Sequence, residues 1–254
     1  MKFAIRSIQI ILLLFLSTNG LCQTITIATI DWCPFICPNS KERPGLLVEY
    51  TKAIFERQGY QIEFKSYPWT RTIKMTKNGT VDAALAPAKS EAPDLIYPES
   101  NIGVQRFCFF KRKDDPWKYE NPESITDKAI VYPQDALPDV LLSVKQKALR
   151  IHARAYNEKY MLGTTKQVLA NRYDALLMTY FSMIDFLEQN HLKNKIVFAG
   201  CVSEQNLYLA FTPNPKKQKE IKLLMKIFDQ EIKELQKKNF FDTLLKNYNL
   251  DSPK

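Results

Sequence analysis

Residues 24–60, TITIATIDWCPFICPNSKERPGLLVEYTKAIFERQGY, constrain the fold more than any other stretch. From Thr24 to Ile30 polar and apolar side chains alternate and β-branched residues dominate, which fits a pleated, half-buried strand. The strand breaks at Asp31-Trp32-Cys33-Pro34, a loop with two aromatics, Trp32 and Phe35, and two cysteines. Pro44-Gly45 then opens a helix expected from Leu46 to about Gln58, with Leu47, Tyr50 and Ile54 on one face and Gly59 as the stop. A second strand, Gln61 to Tyr67, completes a β-loop-α-β unit. The loop leaves the carboxyl end of the first strand, where small ligands bind in an open α/β sheet. The alternative is a plain connection, but two aromatics and a possible disulfide are a large investment in a link.

The same alternation continues. A helix begins near Trp69 and ends at Asn78-Gly79, a C-cap signal. Val81 to Pro87 is apolar enough for a strand covered on both faces. A proline-containing loop runs from Lys89 to Asn101, and a strand from Val104 to Lys111. A second series follows: strand Ala129 to Tyr132, helix Pro138 to Ala148, strand Arg150 to Tyr156, helix Asn157 to Asn171, strand Asp174 to Met178 and helix Ser182 to Asn190. Short strands at Ile196–Ala199 and Leu207–Phe211 lead back toward the first unit. In the last long helix Ile221, Leu224, Met225, Phe228, Ile232 and Leu235 form an apolar stripe. The pattern predicts two α/β lobes, each large enough to hold a core, with the chain crossing between them twice, first around 106–113. The expected division is residues 23–108 with 212–254 in one lobe and 109–211 in the other.

The order of short motifs resembles the extracellular solute-binding proteins of family 3, the polar amino-acid type of ABC import systems. The resemblance rests on the strand followed by Trp32-Cys33-Pro34-Phe35, Pro44-Gly45, Pro68-Trp69-Thr70-Arg71, Asn78-Gly79-Thr80-Val81-Asp82-Ala83, Asn171-Arg172-Tyr173-Asp174-Ala175 and the tail at Leu244, Leu245 and Tyr248. It covers nearly the whole mature chain. It implies a two-lobed periplasmic binding protein-like fold of type II with two hinge crossings, a ligand in the cleft, and closure by hinge bending. The implied partners are a small-molecule solute and the membrane permease of an ABC importer. The implied state is a monomer, with no cofactor.

Lys2 and Arg6, the apolar run Ile8 to Leu16 and the small, polar stretch Ser17 to Cys22 form a signal peptide over residues 1–22, too short to span a bilayer. Cleavage is expected after Cys22 or after Gly20, which places the protein in the periplasm; a lipidated Cys22 is the alternative. Cys33, Cys37, Cys108 and Cys201 remain, an even number in an exported chain. A local Cys33–Cys37 bridge would fix the shape of the loop. Cys108 and Cys201 then pair or stay buried and reduced. The Cys33/Cys37 spacing does not suit zinc, and neither His152 nor His191 lies near it. The net charge is +9, but basic and acidic residues are mixed, as on a solvated surface, so nucleic acid is not an expected partner.

The expected ligand-binding residues are Trp32 and Phe35 at the end of the first strand, Trp69 and Arg71 opening the second helix, Lys89, Tyr132 and Gln134, and Thr179 and Tyr180. Trp32 and Phe35 offer aromatic surface; Phe35 alternatively packs beneath the loop. Arg71 offers a planar fork to an anion or joins a surface ion pair. The resemblance implies an arginine after the third strand and a second aspartate after Asp174, which clamp the carboxylate and ammonium of an α-amino acid. Here Lys89 and Thr179 stand in those regions. The set is therefore aromatic and cationic, and the expected solute is neutral-polar or anionic, unless Asp94 or Asp185 reaches the cleft. Asp82 is expected to satisfy a turn. No G-x-S-x-G, H-E-x-x-H or P-loop occurs, so no catalysis is expected. A lyase or hydrolase on the same fold, or a periplasmic sensor input, are the alternatives.

Overall fold

The computed structural model describes residues 23–134, 138, 141, 150–156 and 159–251. The signal peptide expected over 1–22 and most of the helix expected over 138–148 lie outside them. In chain order the elements are β1 (Thr24–Thr29), α1 (Leu46–Phe55), β2 (Gln61–Ser66), α2 (Trp69–Lys77), β3 (Ala83–Leu85), β4 (Gly103–Arg112), β5 (Ile130–Pro133), β6 (Ile151–Arg154), α3 (Tyr160–Leu169), β7 (Ala175–Thr179), α4 (Tyr180–Gln189), β8 (Ile196–Leu207), β9 (Leu209–Phe211), α5 (Gln218–Lys237) and α6 (Phe240–Asn247). The strands form two sheets, ordered β2-β1-β3-β9 and β6-β5-β7-β4-β8, one for each lobe.

In the first sheet β1 lies between parallel β2 and β3, and β9 closes the edge antiparallel to β3. β1 and β3 are almost wholly buried, which explains the near-continuous apolar run of β3. The apolar faces of α1, α5 and α6 pack on one another through Phe55–Phe228, Tyr50–Phe240 and Tyr50–Phe241 ring contacts at 6.4, 5.9 and 5.5 Å. The stripe of α5 is buried as its spacing predicts, with Met225 half-buried at its margin.

The second sheet is mixed. β5 is parallel to β6 and β7, whereas β4 runs antiparallel to β7 and β8. Here the sequence misled. The short strand expected at Ile196–Ala199 continues to Leu207, paired along the whole of β4. Ser203, Glu204, Gln205 and Asn206 are weak strand formers, so the pairing with β4, not local propensity, extends the strand. Gly200, at φ +130, sits where the register shifts; a Cβ there would lie 2.7 Å from the Tyr119 carbonyl oxygen. β4 lies entirely in the second sheet and β9 entirely in the first.

The loop after β1 is tied to α1 by its own backbone. Trp32 and Ile36 exchange N–H···O bonds of 2.8 and 2.9 Å. The N–H groups of Leu46 and Leu47 donate to the carbonyls of Pro34 and Phe35 at 2.9 and 3.0 Å, which satisfies donors that a helix start would otherwise leave unpaired. Gly45, at φ +118, makes this approach possible: a Cβ would sit 2.4 Å from the Phe35 carbonyl oxygen. Disulfides join Cys33 to Cys37 within this loop and Cys108 to Cys201 between β4 and β8. The loop also touches the second lobe. Phe35 meets Phe181 edge-on at 5.7 Å, and Arg43 donates to Asp185 on α4 at 3.2 Å and to the Tyr248 carbonyl at 3.0 Å.

Candidate ligand-binding site

A cavity of about 780 Å3 lies between the carboxyl ends of the first-sheet strands and the facing ends of the second sheet. This is within the range of small-molecule sites, roughly 300–1,000 Å3. From the first lobe it is lined by Asp31 and Trp32 after β1, Tyr67 and Trp69 after β2, and Ala86 and Glu91 after β3. From the second come Gln105 and Phe107 on β4, Gln134 after β5, Tyr156 after β6 and Thr179 at the end of β7.

Four of the expected site residues meet here: Trp32, Trp69, Gln134 and Thr179. The other five lie elsewhere. Phe35 is buried beneath Trp32, ring centroids 4.5 Å apart. Tyr132 is buried in the core under the second sheet. Tyr180 is turned away among Phe110, Phe198 and Phe181. Arg71 is exposed, its guanidinium 5.1 Å from the Tyr67 ring centroid. Lys89 is exposed, its Nζ 4.6 Å from the Tyr208 ring centroid and 5.8 Å from that of Tyr97. Neither fallback carboxylate enters the cleft: Asp94 pairs with Lys77, and Asp185 with Arg43 and Gln189. Asp82, expected to satisfy a turn, instead makes long-range bonds: its carboxylate accepts from the Thr26 N–H on β1 at 2.8 Å and from Lys217.

This placement overturns the expectation of an aromatic and cationic cleft. Asp31 and Glu91 are its charged groups, and no lysine or arginine is among the described residues that line it. Neither carboxylate forms an ion pair with a described residue. Glu91 accepts the Ala88 N–H at 2.8 Å, yet desolvation by the surrounding protein outweighs that bond and raises its pKa. Glu91 in turn helps burial to push the Tyr97 hydroxyl up to about 12. On the opposite wall the Tyr156 hydroxyl is raised by desolvation and, second, by the Asp31 charge. Gln105 is buried and donates to Gln205 at 2.6 Å; Gln205 donates to Ser90 at 3.3 Å, joining the lobes beside Glu91. The Thr179 hydroxyl is buried without a hydrogen-bond partner. Among the described residues no group of three His, Cys, Asp or Glu side chains is arranged to hold a metal ion.

Asp31 carried a usable signal in the sequence, a charged residue at the carboxyl end of a parallel strand. Glu91, Gln105 and Tyr156 carried none, because loop course and lobe pairing bring them in.

The model of the bacterial extracellular solute-binding proteins, family 3, matches residues 25–251. The chain belongs to that family. No curated protein matches it at the sequence level. Solved structures with the same fold include a histidine kinase sensor domain with similarity to periplasmic binding proteins, with TM-score 0.64 and 18% identity over 89% of this chain and 95% of that one. The Streptococcus pneumoniae amino acid ABC transporter substrate-binding protein AbpA, bound to L-arginine, has TM-score 0.63 and 14% identity over 89% and 94%. An ancestral amino acid-binding protein, a precursor of cyclohexadienyl dehydratase, has TM-score 0.64 and 16% identity over 89% and 95%. At these identities the likeness is one of fold. Family 3 membership makes this a ligand-binding protein. Among the described residues, no helix is long and apolar enough to cross a membrane.

Proposed function

We propose that the chain is an exported, monomeric, non-catalytic solute-binding protein. It captures a small polar solute between its lobes and delivers it to the membrane permease of an ABC importer. The observation that carries this reading is the interlobe cavity, with aromatic rings and polar groups on facing walls. Residues 1–22 serve as the signal peptide, and the periplasm is the place of action. The lobes divide where the chain leaves one sheet for the other, near 101–103 and 207–209. Hinge bending at those two passages closes the cleft.

A second reading is a sensor input, favoured by the fold shared with a histidine kinase sensor domain. Small-angle scattering of the exported protein with and without solute tests capture: the radius of gyration falls when the right solute is added. A profile unchanged by every solute tried ends the reading. Uptake of that solute, lost on deleting the protein and restored by its return, separates delivery from sensing.

A further inference from the structure

We infer that the solute is a compact organic cation, an amine or guanidine without a carboxylate of its own. This rests on the binding-protein reading and names its ligand class. The chain is strongly basic, with net charge +9, yet the described residues lining its cleft carry two carboxylates and no cationic side chain. Asp31 and Glu91 come from separate loops, after β1 and after β3, and neither has an ion-pair partner among the described residues. Trp32, Tyr67, Trp69 and Tyr156 line the same space, and aromatic faces attract cations, most strongly when water is excluded. The Thr179 hydroxyl, buried and unpartnered at the edge of the cavity, offers an acceptor for an N–H donor.

A zwitterionic α-amino acid fits this chemistry less well than the amine derived from it. Its ammonium gains from Asp31 and Glu91, but its carboxylate is desolvated beside two like charges. The N-termini of α2 and α4 open near the cleft, each equivalent to about half a positive charge. They offset only part of that repulsion. A dianion has no ammonium to gain from the two carboxylates and meets the same repulsion twice. Closure sharpens the contrast, because charges interact more strongly once water leaves.

Calorimetry on the exported protein tests the inference with matched probes: agmatine against arginine, putrescine against ornithine, and succinate as the anion. Each amine should bind at least about tenfold tighter than its parent amino acid, and succinate should give no heat. Glu91→Gln and Asp31→Asn should each weaken the better amine by about 10- to 100-fold, the usual scale for a charged partner. Asp94→Asn, outside the cleft, should leave it within about twofold. Gln can still accept the Ala88 N–H, and a melting temperature no lower than that of the parent protein verifies folding. Binding of an amino acid or succinate as tight as the amines, or amine binding indifferent to both cleft substitutions, overturns the inference. If those acids bind and compact the protein, the binding-protein reading survives alone. If no member of a broad solute panel binds or compacts it, both fall.

Discussion

The wall raised on the first sheet carries both carboxylates and three large rings, those of Trp32, Tyr67 and Trp69. The wall raised on the second offers two amides, Gln105 and Gln134, the phenol of Tyr156 and the hydroxyl of Thr179, and no charge among its described residues. The difference follows from how each wall is built. Long loops leave the carboxyl ends of β1 and β3, the two that carry the carboxylates, and loops can hold charges in solvent before a ligand arrives. Much of the opposite wall is β4 and β7 backbone, packed in a sheet whose neighbouring side chains are buried. A charge there would be desolvated whether or not a ligand were bound. The comparison teaches a division of labour. The first lobe supplies affinity while the cleft is open, and the second supplies neutral contacts that count only on closure.

Truncating one side chain on each wall gives the largest test of that division. Trp69→Ala should weaken solute binding by about 30-fold, the combined loss of apolar burial and ring–cation attraction of about 2 kcal/mol. Gln134→Ala should weaken it only about threefold, the net scale of one neutral hydrogen bond. Titration followed by calorimetry measures both. Comparable losses at the two positions would break the division.

A smaller effect sharpens it through pH. The raised pKa of Glu91 comes first from desolvation, opposed by the Ala88 N–H. The carboxylate must be ionised to attract a cation, so affinity should hold above that raised value. It should fall by up to tenfold per pH unit as pH drops through it, beginning above the ordinary glutamate value of about 4.3. The free protein responds with the opposite sign. An acid whose folded pKa is raised adds stability below its unfolded value and loses that contribution as pH rises through the folded value. Tyr97, pushed up to about 12, stays protonated across this range. Glu91→Gln should therefore flatten the upper part of the affinity profile and raise the melting temperature at neutral pH. An affinity profile identical in both proteins would remove Glu91 from the charged wall.

The same two walls explain what the sequence made legible. The first-lobe elements followed from alternation in β1, the helical spacing of Leu47, Tyr50 and Ile54, and the stops at Gly59 and Gly79. Trp32 and Trp69 stood out because bulky rings at strand ends are costly unless covered. The errors had geometric causes. Arg71 is two residues beyond Trp69 on a helix, about 200° around its axis, so the two cannot share a face. Lys89 and Glu91 are two residues apart in an irregular turn, where no period tells which one faces inward. Tyr132 alternates with its strand neighbours and faces the core, whereas Gln134, just past the strand end, reaches the cleft. On the second wall the polar run of β8 hid a strand whose cause is its partner, β4. Pairing over nearly one hundred residues of sequence leaves no local trace, although Cys108 and Cys201 lie on this same strand pair, joined by a disulfide across a separation of 93.

The smallest expected effect concerns backbone strain. Ala86, buried where β3 enters the cleft, has φ +74 and donates its N–H to the Tyr208 carbonyl at 2.8 Å. An L-residue pays roughly 1–2 kcal/mol in the left-handed region, and glycine does not. Glycine also makes the unfolded chain more flexible, which returns about 0.4–1 kcal/mol of that gain. The net for Ala86→Gly is a stabilisation of about 0.5 kcal/mol, or a rise of about 1–2 °C in melting temperature for a chain of this size. None of the described second-wall residues that line the cleft has a positive φ; Thr179, for example, sits at −64°. The matching change there, Thr179→Gly, relieves nothing and should cost about 1–2 kcal/mol in backbone freedom and lost packing. Thermal melts of the two variants should therefore move in opposite directions. Strain then belongs to the wall that carries the charges, where the chain must turn sharply after β3 to bring Glu91 to the cleft; melts that fall together would place no strain at Ala86.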